Sequence, residues 1–245
     1  MNLFFNLLLA GLPCCFLFVL IGAARFSFIV GLVERPLALA MIAGFVTDQW
    51  SVALPIGITL ELLWQDVIAM GTVIHPFGGM AFLLLFPFAR TAHFVDAGSM
   101  LLPLILAMLC AQAGSWLEQR YRIYEDRFLP DMEAADPHPE KVVYQSILRR
   151  AGMHAILYAV SYTLLCGVVC TLLALGVYPI IPDLSWTFVY AAALSGALLA
   201  IRSRTAYIAF LMGLCVISAL IVFRSNSGIL AASTSRSIVS GLMVM

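Results

Sequence analysis

The stretch GITLELLWQD, residues 57–66, gathers Glu61, Gln65 and Asp66 within a turn and a half of chain that is otherwise flanked by apolar runs. Hydrophobic residues make up 63% of the 245 positions, charged residues only 11%, and mean hydropathy is +1.03. A typical soluble domain carries about 25% charged residues. In water the three polar side chains would mark an ordinary exposed helix face. In a bilayer each ionised group costs about 2.5–3.5 kcal/mol or more unless it faces protein or a water-filled cavity. The composition therefore predicts an all-α polytopic membrane protein in which these groups line something. Formal net charge is zero, so nothing points to a nucleic-acid partner.

The charges are unevenly spread. Arg120, Arg122, Arg127, Lys141, Arg149 and Arg150 lie among Glu118, Glu125, Asp126, Asp131, Glu133, Asp136 and Glu140, so 13 of the 26 charged residues fall in one segment. That segment contains PDMEAADPHPE, which cannot cross a bilayer. Three regions follow: an N-terminal membrane region at 1–116, a polar amphipathic connector at 117–150, and C-terminal membrane helices at 151–245. The six Lys and Arg side chains put the connector on the cytoplasmic side. Matching acidic residues, and Arg202, Arg204, Arg224 and Arg236 farther on, weigh against that orientation.

A span takes about 20 apolar residues. Candidates fall at 3–23, 27–46, 50–72, 78–95 and 98–116, then at 152–177, 184–201, 205–223 and 227–245. About 8–10 transmembrane or re-entrant helices are expected. Pro36, Gly44, Pro55, Gly57, Gly71, Pro76, Gly78, Gly79 and Pro87 interrupt the N-terminal candidates. Broken and re-entrant segments are tolerated at bilayer depth where they line a cavity, and transporters build sites from them. The first segment has no basic start and an apolar run too long for a cleaved signal, so it reads as a retained helix.

Cys14, Cys15, Cys110, Cys166, Cys170 and Cys215 all sit in apolar runs without closely paired metal-type spacing, as small apolar residues of membrane helices do. His75, His93, His138 and His154 are scattered. No Gly-rich phosphate loop, nucleophile with an adjacent base, metal set or cofactor motif is apparent.

Residues 34–76, ERPLALAMIAGFVTDQWSVALPIGITLELLWQDVIAMGTVIHP, resemble membrane component C of the mannose/fructose/sorbose-type phosphotransferase system. The matching positions are Arg35, Pro36, Gly44, Asp48, Gly57, Thr59, Leu60, Glu61, Gly71 and Pro76, with order and spacing kept. Departures are Thr47 where the family usually has Gly, WSV after Asp48, Gln65 and Asp66 after the Thr-Leu-Glu run, and Phe77 after Pro76. The resemblance implies an all-helical permease subunit of a bacterial inner membrane that carries a hexose-type sugar. It implies work with a membrane component D, in a trimer of C–D pairs. Soluble A and B components would carry the phosphoryl group from phosphoenolpyruvate. Component C has no phosphoryl-transfer residues of its own.

At 100° per residue, Gly57, Glu61 and Gln65 share one helical stripe, with Thr59 and Asp66 nearly opposite. A carboxylate accepts from two neighbouring sugar hydroxyls, and an amide both donates and accepts. Gly57 leaves room beside them, and Trp64 offers an apolar face. Candidate substrate-binding residues are thus Glu61, Gln65, Asp66, Asp48 and Thr59. Other roles stay open: Glu61 pairing with an Arg such as Arg35 or sealing an interface with component D, Asp48 capping a helix, and His75 as a satisfied interfacial group. Two further functions stay open as well: a non-transporting membrane subunit that kept the fold, and an ion or proton pathway through Glu61, Asp66 and His75.

Overall fold

The computed structural model describes residues 2–23, 34–65, 76–126, 139–182 and 184–201, with residues 208 and 212. Among these the protein is all-helical, with seven helices and no strand: α1 Asn2–Ala23, α2 Pro36–Thr47, α3 Trp50–Leu63, α4 Gly78–Ala92, α5 Ala97–Asp126, α6 Pro139–Ala174 and α7 Trp186–Ile201. The chain forms two compact units, Met1–Leu194 and Ser195–Met245. The site lies in the first. The candidate spans at 205–223 and 227–245, and positions 127–138 of the connector, lie outside the described residues, apart from 208 and 212.

Among the described residues three helices are long and apolar enough to cross a membrane, over Leu3–Ala23, Ala97–Tyr124 and Tyr144–Ala174. Their large apolar side chains point outward as well as inward: Leu12 is 61% exposed and Phe16 65% on α1. That is the pattern of a helix whose outer face meets lipid, and it marks a membrane protein.

The sequence boundaries shift where the helices run. α5 continues ten residues past 116, to Asp126, and α6 already begins at Pro139. The described ends of the connector are therefore extensions of the flanking helices. The i,i+4 pair of Glu118 with Arg122 supports the first extension. α6 stops at Ala174, where Gly176 turns left-handed at φ 67° and the Val177 amide reaches back to the Leu172 carbonyl. A glycine is the residue such a terminus calls for.

The helices between 36 and 92 are short. With 12, 14 and 15 residues, α2, α3 and α4 span about 18, 21 and 22 Å, less than the roughly 30 Å of a hydrocarbon core. α2 and α3 form a tight hairpin joined by Asp48 and Gln49, with Asp48 left-handed at φ 55°. Gly57 permits the tight approach: a Cβ there would collide with the Ala40 side chain and sit 3.2 Å from the Pro36 carbonyl. At the turn, Gly44 plays the same part beneath the Trp50 ring. α4 is buried along Gly78–Ala89 and is wrapped by α1, α2, α3, α5 and α6. It ends at left-handed His93, with the Phe94 amide donating to Ala89 O and the Phe94 ring packed on Phe88, the contact that accompanies such a cap.

Lipid gives packed helices no hydrophobic incentive to associate, so small residues and polar contacts hold them. α1 and α6 run antiparallel on these terms. Every fourth residue of α6 from 150 to 170 is Arg150, His154, Tyr158, Tyr162, Cys166 or Cys170. The Tyr162 ring fills the space that a Cβ on Gly11 would need, and its hydroxyl donates to Leu7 O at 2.8 Å. His154 lies against Gly22 and Phe18.

Two tyrosines repair helices broken by proline. Pro87 has no N–H to give the carbonyl four residues back, that of Leu83. The Tyr158 hydroxyl donates to that oxygen at 2.8 Å. Pro103 likewise leaves the Ser99 carbonyl without its helical donor, and the Tyr178 hydroxyl supplies one. Neighbouring side chains satisfying freed carbonyls are what make proline tolerable at bilayer depth.

Candidate functional site

The open end of the α2–α3 hairpin meets the start of α4. Pro36 fits the first helical position of α2, because its fixed φ suits the helix and its missing amide is not needed there. The next amide, that of Leu37, needs an acceptor from elsewhere. Arg35, at the cap position, makes no side-chain cap. Glu61, on the last turn of α3, supplies one: its Oε2 accepts from Leu37 N at 3.4 Å, while Oε1 accepts from Arg35 Nη1 at 3.2 Å. The carboxylate also stands at the positive end of the α2 dipole, which favours an anion.

α4 begins at the same place. A Cβ on Gly79 would sit 2.6 Å from the Glu34 carbonyl oxygen, and one on Gly78 2.8 Å from Pro36 Cγ and 3.2 Å from the Trp64 ring. Both glycines are needed for this close approach. The start of α4 thus packs against Glu34 and Pro36, at the α2 N-terminus that Glu61 caps. Glu61 is 26% exposed and Arg35 58%, so the pair is accessible. A carboxylate has about four lone-pair sites, and two contacts leave Glu61 able to accept hydroxyls from a ligand.

The sequence-derived residues separate. Glu61 is at this convergence. Gln65 follows in the turn after α3 and is exposed. Trp64 is half-buried against Gly78 and the core. Thr59 is fully buried, with its hydroxyl committed to Pro55 O at 2.7 Å. Asp48 lies at the opposite end of the hairpin, a full α2 length of about 18 Å away, where it caps α2 in the left-handed conformation. Gly57 does not open space beside Glu61: that stripe of α3 faces α2 and is filled by Ala40 and Pro36. Asp66, Gly71 and His75 lie outside the described residues.

A second polar cluster carries no distinct signal in the sequence, where Glu118 is one of the connector charges. Its side chain is completely buried. Glu118 Oε1 accepts from Arg122 Nε at 3.1 Å and lies 3.6 Å from Arg150 Nη2, which ties α5 to α6. Among the described residues no group of His, Cys, Asp and Glu could hold a metal ion.

Comparisons with protein-family models, curated proteins and solved structures find no match.

Proposed function

We propose that this chain is the sugar-translocating membrane subunit, component C, of a phosphoenolpyruvate-dependent sugar phosphotransferase system of the mannose/fructose/sorbose type. The observation that carries the reading is the meeting of residues that are scattered through the resemblance. Arg35 and Pro36 begin it, Gly57 and Glu61 lie in its middle and Pro76 ends it. Arg35, Pro36 and Glu61 now surround one junction of short helices. Transporters build polar sites from such interrupted helices, with helix N-termini turned toward the ligand. In this reading Glu61 accepts hydrogen bonds from sugar hydroxyls, with Gln65 one turn on and Trp64 beside it. The chain resides in a bacterial inner membrane, pairs with a component D in a trimer of C–D pairs, and delivers a hexose to phosphorylated soluble components.

The rival reading, a membrane subunit that kept the fold without transport, draws on the same carboxylate. Glu61 already accepts from Arg35 and Leu37, contacts that are sufficient for a purely structural role. Purification in mild detergent, with a component D produced alongside, separates the two. A stable complex that takes up a hexose only with phosphoenolpyruvate and the soluble components supports transport. A complex that assembles but takes up no hexose supports the structural subunit.

A further inference from the structure

The outer face of α1 is apolar except near its start. Asn6, Leu9, Pro13, Phe16 and Leu20 step along it by three and four residues in turn, and all five are exposed. That is the spacing of a seam by which one helix packs on another. The opposite face, with Leu7, Gly11 and Phe18, is the one turned into the protein. Lipid suits Leu9, Phe16 and Leu20. It does not suit Asn6, whose carboxamide has no partner among the described residues.

Depth makes this costly. Tyr162 reaches the carbonyl of Leu7, the residue next to Asn6. From Tyr162 the apolar stretch of α6 runs on to Ala174, about 18 Å farther. Asn6 therefore lies well inside the hydrocarbon rather than at the headgroups. One turn deeper, Pro13 has no N–H for the Leu9 carbonyl. The Leu83 and Ser99 carbonyls, freed in the same way, each receive a tyrosine hydroxyl. Among the described residues no side chain donates to that of Leu9. A donor and an acceptor thus stand one turn apart on one exposed stripe, where lipid offers neither of them a partner.

We infer that copies of this chain meet along this seam, α1 beside α1, with Asn6 against Asn6. Copies of one chain enter the membrane in the same orientation, so their α1 helices run parallel and bring Asn6 to a common depth. A carboxamide both donates and accepts. Asn6 is therefore its own complement across a symmetry axis, as a contact between identical surfaces requires. The second N–H of each amide is left for the freed Leu9 carbonyl of the neighbouring helix. Polar pairing of this kind holds helices together in lipid, and one Asn in an apolar seam fixes its register. The inference rests on the membrane location alone and holds whether or not a sugar is carried.

The test uses the full chain in its membrane. Two forms carrying different tags are produced together, and the membranes are solubilised in mild detergent. Capture through one tag, measured against the amount of chain in the membrane, reports how much of the other form comes with it. A photo-crosslinking residue at position 9 reports which chain lies there. Co-capture should fall by roughly 3- to 30-fold in Asn6→Leu, the weight of one polar contact between helices in lipid. Asn6→Gln, which keeps the amide, should retain most of it. Ile156→Trp, on the exposed face of α6, should change nothing. The crosslinked product should be a dimer of this chain. Absence of co-capture, undiminished co-capture in Asn6→Leu, an equal loss in Ile156→Trp, or a position 9 crosslinked only to a different protein would each overturn the inference.

Discussion

Arg35 and Glu61 meet at 3.2 Å across the open end of the α2–α3 hairpin. Because Arg35 is more than half exposed, the ion pair contributes under about 1 kcal/mol. The bond from Leu37 N–H to Glu61 matters more, since losing a helix-terminal acceptor leaves a donor unpaired at a cost of about 1–3 kcal/mol. Thermal unfolding in detergent should therefore rank Arg35→Gln mildest, Glu61→Gln next and Glu61→Leu most destabilising. An Arg35→Gln loss as large as that of Glu61→Leu would mean that the charge pair, not the helix cap, holds the hairpin shut.

Tyr158 and Pro87 should be energetically coupled through the Leu83 carbonyl. Tyr158→Phe removes the donor and leaves that buried oxygen unsatisfied, at about 1–3 kcal/mol. Pro87→Ala restores a backbone amide four residues on. In the Pro87→Ala background, Tyr158→Phe should cost measurably less. A double-mutant cycle on unfolding midpoints reads the coupling directly, and strict additivity would show that Tyr158 acts through packing alone.

Gly11 and Gly152 offer a paired comparison. A Cβ on Gly11 would enter the Tyr162 ring, whereas one on Gly152 would meet nothing within 4 Å. Gly11→Ala should destabilise by about 1–3 kcal/mol, the usual range for overpacking. Gly152→Ala should be neutral or stabilise by up to about 1 kcal/mol, as expected for alanine replacing glycine in an exposed helix. Melting temperatures of the two variants, measured side by side, check the α1–α6 packing.

Tyr178, in the segment after α6, predicts a limb in the stability profile at high pH. Burial pushes its hydroxyl from the ordinary 10 up to about 12. The folded protein therefore holds this proton where the unfolded chain releases it, and stability contributed by the neutral hydroxyl is full below pH 10 and lost as pH rises toward 12. Tyr178→Phe should lower stability at pH 8, because Ser99 O loses its donor. The same variant should flatten the decline between pH 10 and 12. Parallel profiles for the two proteins would contradict the assignment.

Solvent and helix content were legible because composition dictates both: a chain this apolar has to meet lipid. Pro36 marks the start of α2, whereas Pro55 and Gly57, expected to interrupt their span, lie inside a continuous α3, where packing of Gly57 on Ala40 overrides helical propensity. The repair of the carbonyls freed by Pro87 and Pro103 was not legible. Tyr158 is 75 positions from Leu83 and Tyr178 is 79 from Ser99, and no local pattern announces either partner. Glu118 was misread because a connector charge and a buried one look alike in a window of mixed sign. The four-residue spacing of Arg150, His154, Tyr158 and Tyr162 was a usable signal, since a polar stripe along an apolar helix needs a partner. At the site, periodicity put Glu61 and Gly57 on one stripe correctly but could not tell that α2 fills the space beside Gly57.

The most direct test of the transport account is equilibrium binding of a panel of hexoses to the purified complex with component D, comparing wild type with Glu61→Gln. The swap keeps volume and removes charge. A hydrogen bond to a charged acceptor is worth about 1.5–3 kcal/mol against about 0.5–1.5 for a neutral one, so affinity should fall by roughly 5- to 30-fold. The amount of complex in the membrane should stay near that of wild type. A panel in which no hexose binds, or a Glu61→Gln complex with undiminished affinity, would contradict the central claim.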